Sequence, residues 1–311
     1  MRLSNDVSHL KQRFERDGVA VEVGNGGLLK VVVRNNSCQG EAYLQGAQVT
    51  DWRPGSFERG QFGPVLFVSS RSAFEKGKAI RGGIPLCFPW FGPPVAPQTG
   101  PQHGFARSVE WTLAAVRNGP GKSSTSLVFE LESDDATRAI WPFDFHATYT
   151  VTFGTALGLS LDVTNTGKQP FTFSEALHTY FAVGDVRLVR IEGLDGVEYV
   201  SKIEGDVRIK QPPGPISLVG ETDRVYLNSP NTVRMIDPTL GRVLINSKHD
   251  SNTTVVWNPW EAKSVAQTGL ASGEWLKMLC VESANSHENS VTLAPGQKHA
   301  MHASVDVEKL K

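Results

Sequence analysis

Two residues with acid–base side chains stand in segments that are otherwise apolar. His178 lies within the run 171–181, and Glu282 ends the run 276–282. A glutamate is almost never fully buried unless it is paired or has a functional role, so we expect Glu282 to have a partner. A carboxylate and an imidazole that meet in a cavity can take a proton from a substrate and deliver one to it. From the residues alone, His178 can equally be a hydrogen-bonded histidine of the core.

Two arginines stand among glycine, proline and aromatic residues. Arg81 begins the sequence RGGIP, and Arg107 ends the sequence HGFAR, which Gln102 precedes. A backbone of this composition can form tight turns and lets a ligand approach closely. Guanidinium groups bind phosphate oxygens in bidentate fashion. In an extended strand His103, Phe105 and Arg107 would share one face, so we expect His103 and Arg107 to point together into a pocket. The alternatives are a buried crossover with a solvated Arg81 and a purely structural His103.

The charge balance excludes several classes of partner. Among 311 residues, 31 are Lys or Arg and 32 are Asp or Glu, which gives a net charge of −1. A chain without a global positive field is not expected to capture nucleic acid or an anionic membrane, so an anionic ligand needs a local cluster of cations. The N-terminal residues contain no apolar signal region, and no run of about 18 apolar residues occurs anywhere. We therefore expect a cytoplasmic protein.

Cysteine and histidine spacing gives no sign of a metal site. Cys38, Cys87 and Cys280 are far apart and odd in number, which fits neither a disulfide framework nor a CxxC zinc site. His299 and His302 are three residues apart in a strand-like run, so they should face opposite sides. The sequence therefore predicts reduced, buried thiols and no metal centre.

Short β-rich runs separated by turn residues position these candidates. The runs are 19–23, 28–33, 47–52, 65–68, 109–116, 126–132, 145–153, 157–163, 171–181, 197–200, 232–236, 242–246, 253–257, 276–282 and 299–307. Helical patterns are few: 7–16, a turn after Ser133 and a short piece after Pro259. Many short strands with frequent turns indicate an all-β protein, a large sandwich or barrel. The proline-rich stretch 211–215 is read as a surface connection within one domain, with a domain boundary as the alternative.

Several motifs, in order along most of the chain, resemble the aldose 1-epimerase (mutarotase) superfamily and specifically its glucose-6-phosphate 1-epimerase branch. The motifs are GAQV at 46–49, RGGIP at 81–85, HGFAR at 103–107, LHTYF at 177–181, Asp223, WNPW at 257–260 and CVE at 280–282. The resemblance implies one galactose-mutarotase-like β-sandwich domain over 1–311, with a short N-terminal extension at about 1–17. It implies a monomer that acts on a small-molecule sugar phosphate without a metal or an organic cofactor.

The resemblance also implies roles for the candidate residues. His178 matches the general acid of similar proteins and Glu282 the general base. Substrate contacts are implied for Arg81, Gln102, His103, Arg107 and Asp223. The expected reaction interconverts the α and β anomers of glucose 6-phosphate.

Two other functions stay open at this point. The first is a noncatalytic carbohydrate-binding sandwich, which the presence of both His178 and Glu282 disfavours. The second is an epimerase for unphosphorylated sugars, which Arg81 and Arg107 disfavour. The residues of the WNPW motif form either a sugar-stacking wall or a packed corner.

Overall fold

Long strands of this protein bury every second side chain, and this alternation explains how its sheets pack. A computed structural model describes residues 6–55, 62–96, 98–266 and 269–311. In the hairpin of Phe145–Phe153 and Leu157–Asn165, every second residue is buried. The buried positions are mostly aromatic or branched and the intervening ones are mostly Ser, Thr or Asp, so one face packs on a core and the other faces solvent.

The described residues contain three α-helices and 23 strands. The helices are α1 (Val7–Phe14), α2 (Asp135–Ile140) and α3 (Trp260–Ala266). The strands are β1 (Val19–Val23), β2 (Leu29–Arg34), β3 (Cys38–Tyr43), β4 (Gln48–Pro54), β5 (Leu86–Cys87), β6 (Thr112–Asn118), β7 (Thr125–Glu132), β8 (Phe145–Phe153), β9 (Leu157–Asn165), β10 (Phe171–Phe173), β11 (Glu175–Leu177), β12 (Tyr180–Ala182), β13 (Arg190–Glu192), β14 (Glu198–Ser201), β15 (Val207–Lys210), β16 (Ile216–Ser217), β17 (Thr222–Leu227), β18 (Thr232–Asp237), β19 (Arg242–His249), β20 (Thr253–Asn258), β21 (Met278–Asn285), β22 (Val291–Leu293) and β23 (Lys298–Lys309).

These strands form two large antiparallel sheets and two small ones. The nine-stranded sheet has the order β16-β13-β18-β19-β23-β9-β8-β7-β6, and the eight-stranded sheet the order β15-β14-β17-β20-β21-β11-β5 with β12 also paired to β21. A four-stranded sheet, β1-β2-β3-β4, and the pair β10-β22 complete the fold. The all-β, mutarotase-like sandwich predicted from the sequence is confirmed.

The central strands of the eight-stranded sheet are buried on both faces. Every residue of β20 and β21 is buried. Val256 and Val281 belong to the main core together with Leu161 and Leu244 of the nine-stranded sheet. Their neighbours on the opposite face, including Cys280, form smaller clusters beneath a cavity. Polar side chains on this second face are therefore enclosed without entering the main core.

Sequence patterns located most elements and missed a few. All three predicted helices are present, and β8 has the predicted bounds. The predicted strand 171–181 is instead three short strands, β10 to β12, because the chain turns at Ser174 and at His178–Thr179. The run 65–68 makes only isolated bridges, at Leu66 and Val68. Seven strands have no counterpart in the prediction: β3, β5, β13, β15, β16, β17 and β22.

The N-terminal segment predicted at about 1–17 packs on the sandwich where it is described. Residues 1–5 of that segment lie outside the described residues. Helix α1 begins at an Asp6 cap and buries Leu10 and Phe14 in the main core. The stretch 211–215 joins β15 in one large sheet to β16 in the other, as a connection between sheets.

Candidate active site

His178 and Glu282 meet at the floor of a cavity on the eight-stranded sheet. His178 follows β11, where its backbone N–H donates to the Pro85 carbonyl at 3.0 Å. Its Nδ1 lies 3.4 Å from Glu282 Oε1, and the two residues are 7% and 1% exposed. The contact lacks hydrogen-bond geometry, and among the described residues neither His178 Nδ1 nor Glu282 Oε2 has a hydrogen-bond partner. The imidazole stacks on the Tyr180 ring at 4.8 Å between centroids.

Burial keeps both groups largely neutral in the unliganded cavity. Desolvation lowers the pKa of His178 well below 6.5, and His103, Arg107 and Arg81 lower it further. Desolvation and the charge of Asp223 raise the pKa of Glu282 well above 4.5, against the opposing effect of Arg107. The pair is therefore not a charged salt bridge at neutral pH. A proton can pass to or from either group at modest cost, as acid–base work requires.

The GAQV motif holds the RGGIP loop in place. Gln48 is fully buried, and its amide donates to the carbonyls of Ile80 and Gly82 at 3.0 and 2.5 Å. Gly83 has φ +64, and a Cβ there would collide with the Val49 carbonyl, so glycine is required. This loop presents the Arg81 guanidinium to the cavity, with Nη1 3.4 Å from the Tyr180 hydroxyl.

The HGFAR segment is not the extended strand that the sequence analysis assumed. His103 and Gly104 have φ values of 65 and 73, and a short 3₁₀ turn covers Ala106–Ser108. A Cβ atom at position 104 would collide with the Phe88 carbonyl, so this turn requires glycine. His103 and Arg107 do line the cavity, but so does Gln102, while Phe105 is buried in the main core. The predicted sharing of one face by residues 103, 105 and 107 is therefore wrong.

Hydrogen bonds fix the orientation of this segment. His103 Nδ1 accepts from the Gly92 N–H at 3.0 Å, so the proton of the neutral ring is on Nε2. Burial, with Arg107 and Arg81, lowers the pKa of His103 to about 3. Arg107 Nη2 donates to the Gln102 carbonyl at 2.7 Å. His103 thus offers a neutral N–H donor beside the two arginines.

Asp223 enters the cavity from β17, opposite Trp257 in the strand register. Burial raises the pKa of Asp223 to about 6, and Lys263 and Lys202 partly offset that effect. Both lysines also line the cavity, but Lys263 is paired with Glu221 at 2.6 Å and Lys202 with Asp206. Their charge is therefore already compensated.

The WNPW motif divides into a cavity wall and a packed corner. Trp257 lines the cavity with its ring edge-on to His178 at 6.1 Å. Trp260 packs on Trp275 at 4.6 Å, and Asn258 donates to the carbonyls of Trp275 and Met278. Trp260 thus forms the packed corner, while Trp257 lies in the cavity wall, where stacking on a sugar stays a prediction.

Every candidate residue from the sequence analysis lines the same cavity, which has a volume of about 340 Å³. The seven are Arg81, Gln102, His103, Arg107, His178, Asp223 and Glu282. Tyr180, Trp257 and Lys263 belong to quoted segments but were not assigned as site residues. Lys202 was missed, since nothing around it in the sequence marks a site.

One group of donors escaped the sequence analysis. His178, Cys280 and Glu282 each bring one potential metal-ligand atom within 4.8 Å of the other two. Cys280 and Glu282 are two apart on β21 and share a face, and Tyr180 pairs with Cys280 across the sheet. The prediction of no metal centre considered only close spacing along the chain, so it did not weigh these three residues, and it stays a prediction.

Comparison with known proteins identifies the family. The family model described as aldose 1-epimerase matches residues 30–306. The chain belongs to the aldose 1-epimerase family. It is accordingly an isomerase that interconverts sugar anomers, and the family resemblance expected from the motifs is confirmed.

Relatives of this aldose 1-epimerase family member cover most of its length. A Cenchrus ciliaris protein, provisionally named glucose-6-phosphate 1-epimerase, is 36% identical over 282 residues, covering 88% of this chain and 82% of that protein. An Escherichia coli K12 protein of the same provisional name is 34% identical over 259 residues, 83% of each chain.

Solved structures share the fold. A Salmonella typhimurium protein, provisionally described as a mutarotase, superimposes with a TM-score of 0.87 at 30% identity, over 96% of each chain. A galactose mutarotase-like protein from Clostridium acetobutylicum, at 11% identity, has a TM-score of 0.73 over 94% of this chain and 98% of that one. Among the described residues of this family member, no helix has the length and apolar character needed to cross a bilayer.

Proposed function

We propose that this protein interconverts the α and β anomers of glucose 6-phosphate. The observation that carries the proposal is a buried His178–Glu282 contact in a cavity that also contains Arg81 and Arg107. The provisional names of the relatives from Cenchrus ciliaris and Escherichia coli point to the same substrate. Catalysis then requires only proton transfer within this cavity.

The reaction needs one base and one acid. In the reacting form the carboxyl proton of Glu282 has passed to His178. Glu282 then takes the proton of the anomeric hydroxyl while His178 delivers its proton to the ring oxygen, so the bond between C1 and that oxygen breaks. The open aldehyde rotates about the C1–C2 bond and recloses on its other face, with the proton transfers reversed. Gln102, His103 and Asp223 supply a donor or acceptor for sugar hydroxyls.

The arginines account for the phosphate. In the described part of the chain, neither Arg81 nor Arg107 has an ion-pair partner, whereas both cavity lysines are paired. Each guanidinium makes one hydrogen bond to a neutral group, Tyr180 or the Gln102 carbonyl. Their remaining N–H groups suit a phosphate dianion, because charge-assisted bonds are roughly twice as strong as neutral ones.

Phosphate binding would also prepare the acid. The unliganded imidazole of His178 is neutral, because burial lowers its pKa and the charges of Arg107 and Arg81 lower it further. A dianion on the arginines cancels their part of that effect and raises the pKa of His178. The phosphate of the substrate thus favours the protonated imidazole that ring opening needs.

Exchange spectroscopy on the anomeric protons tests the proposal with glucose 6-phosphate and glucose as parallel substrates. We expect Arg107→Ala and Arg81→Ala each to lower kcat/KM for the phosphate ester about 10- to 150-fold, since a lost charge-assisted bond costs about 1.5–3 kcal/mol. Any turnover of glucose should change little. The double variant should lose less than the sum, because both arginines share one anion.

An exposed arginine of β6, Arg117, provides the matched control, and Arg117→Ala should leave both rates unchanged. Equal proportional losses on the two substrates would favour an epimerase for unphosphorylated sugars. Absence of exchange with either substrate, while glucose 6-phosphate still binds, would favour a noncatalytic carbohydrate-binding protein.

We further propose that the protein acts as a monomer in the cytoplasm. All three cysteines are unpaired and buried, which suits a reducing compartment. Sedimentation of the purified protein tests the monomer.

A further inference from the structure

Two polar atoms at the floor of the cavity have no hydrogen-bond partner in the part of the chain that the structure describes. They are His178 Nδ1 and Glu282 Oε2, and both are buried, although buried polar atoms nearly always have a partner. Both side chains line the cavity, and the Cys280 sulfur lies within 4.8 Å of their donor atoms. The acid–base mechanism uses the first two residues and gives Cys280 no role.

From these contacts we infer that His178, Cys280 and Glu282 form a binding site for a thiophilic divalent cation such as Zn²⁺, and that the bound cation inhibits the enzyme. Imidazole, thiolate and carboxylate are the donor types that zinc takes in proteins. The binding itself is independent of the proposed function. Only the inhibition rests on it.

The separations fit a tetrahedral ion. Zinc bond lengths of about 2.0–2.3 Å place two ligand atoms about 3.3–3.6 Å apart. The distance between His178 Nδ1 and Glu282 Oε1 is 3.4 Å. The Cys280 sulfur lies within 4.8 Å of the ligand atoms of both residues, so it needs to move by at most about 1 Å to reach the same spacing.

Charge compensation explains why the cation is tolerated near two arginines. Burial, followed by the charge of Glu282, raises the pKa of Cys280 well above 9.0, so the metal-free residue is a thiol. On binding, the thiol proton of Cys280 and the carboxyl proton of Glu282 both leave to solvent, and the resulting thiolate and carboxylate balance the two charges of the ion. The complex adds no net charge beside Arg81 and Arg107.

Occupation of this site excludes catalysis. The metal takes the lone pair with which Glu282 would accept the hydroxyl proton, and a ring nitrogen of His178 bound to the metal can no longer take up the second proton that makes the imidazole an acid. The fourth ligand position faces the cavity and is filled by water or a sugar oxygen. Inhibition should therefore be complete at saturation and reversible by a chelator.

Cobalt(II) absorption tests binding without an activity assay, because a thiolate bound to Co²⁺ gives an intense near-ultraviolet charge-transfer band. We expect the band in the wild type, its displacement by Zn²⁺, and its loss in Cys280→Ser and Cys280→Ala. Cys38→Ser, in a buried cysteine of β3, is the matched control and should keep the band. The proposed site would be wrong if no band appeared, or if the band were lost on substitution of Cys87 and kept in the Cys280 variants.

Calorimetric titration with Zn²⁺ keeps the site falsifiable if the Cys280 variants do not fold. We expect Glu282→Gln to lower the affinity for Zn²⁺ at least tenfold. The titration uses a His302→Gln background, because His249 and His302 are an exposed cross-strand pair that could also bind the ion. An unchanged affinity contradicts the site.

Inhibition is then measured by exchange spectroscopy at buffered free Zn²⁺, with each variant normalised to its own metal-free rate. The inhibitory concentration should rise at least tenfold in Cys280→Ala, and EDTA should restore the wild type. Cobalt binding without any catalytic activity would refute the proposed function and leave the metal site standing. Cobalt binding with undiminished activity would refute the inhibition.

Discussion

The proposed acid–base pair owes its properties to two side chains in an enclosed, arginine-lined cavity. Burial lowers the pKa of His178 and raises that of Glu282. If they transfer the protons, His178→Asn and Glu282→Gln should each lower kcat for glucose 6-phosphate about 10²- to 10⁴-fold. Circular dichroism should show folded variants, and the exposed His302→Asn should retain full activity. Near-normal anomer exchange in either folded cavity variant would remove that residue from the mechanism.

Asp223 should give the enzyme a pH dependence near neutrality. Burial raises its pKa to about 6, so the carboxylate that accepts sugar hydroxyls is ionised above that pH and lost below it. We expect Asp223→Asn to lower kcat/KM about 10- to 150-fold at alkaline pH, and the deficit to shrink as the pH falls below 6. The substrate phosphate also titrates near pH 6, so the measured quantity is the ratio of wild type to variant at each pH. A ratio independent of pH would contradict this role.

A buried polar cluster links the two strands of the active site. Strand β11 leads to His178 and β21 carries Glu282, and the cluster lies on the face of these strands that points away from the cavity. Glu175 is fully buried, and its Oε1 lies 2.9 Å from His299 Nε2 on β23 and accepts from Asn285 Nδ2 at 3.0 Å. Glu175 and Asn285 are paired across the two strands, each three residues from a member of the acid–base pair. The cluster thus links both active-site strands to the opposite sheet.

His299→Gln should cost stability in a pH-dependent way. Burial tends to lower the pKa of His299, but the hydrogen bond and charge of Glu175, with Asp250 and Asp162, outweigh it and raise the pKa above 6.5. The charged pair is therefore fully present below pH 6.5 and is lost as the pH rises through the raised value. Denaturant unfolding should show a deficit of about 1.5–3 kcal/mol at acidic pH, the usual value of a hydrogen bond to a charged group, and this deficit should shrink at alkaline pH. His302→Gln, on the same strand but exposed, is the control, and a deficit that grows with pH would refute the assignment.

At the scale of the whole molecule, one hydrophobic core connects the elements. It extends from Leu10 in α1 to Val305 in β23 and includes residues of both large sheets and of the four-stranded sheet. We therefore expect the predicted single domain to unfold in one transition. Tryptophan fluorescence, far-ultraviolet circular dichroism and loss of anomer exchange should have the same denaturant midpoint. Separate midpoints would indicate two domains.

The sequence by itself determined the fold class, most strands and the residues of the candidate site. Period-2 alternation located β8 because its buried positions are large and its exposed ones polar. It failed for β3, where the buried positions are the small residues Cys38, Gly40 and Ala42, which carry little hydrophobic signal. It failed for β17 because one face of that strand supplies Asp223 to the cavity.

Only the tertiary structure decided which residues lie opposite one another, because that depends on the register between distant strands and on backbone turns. The positive φ of His103 and Gly104 brought Gln102 to the cavity and sent Phe105 to the core. Antiparallel pairing of β12 with β21 set Tyr180 against Cys280, residues 100 positions apart in sequence. Spacing along the chain fixes which face a residue takes within its own strand, but not what lies opposite. The contact between His178 and Glu282, and the thiol beside it, therefore became visible only in three dimensions.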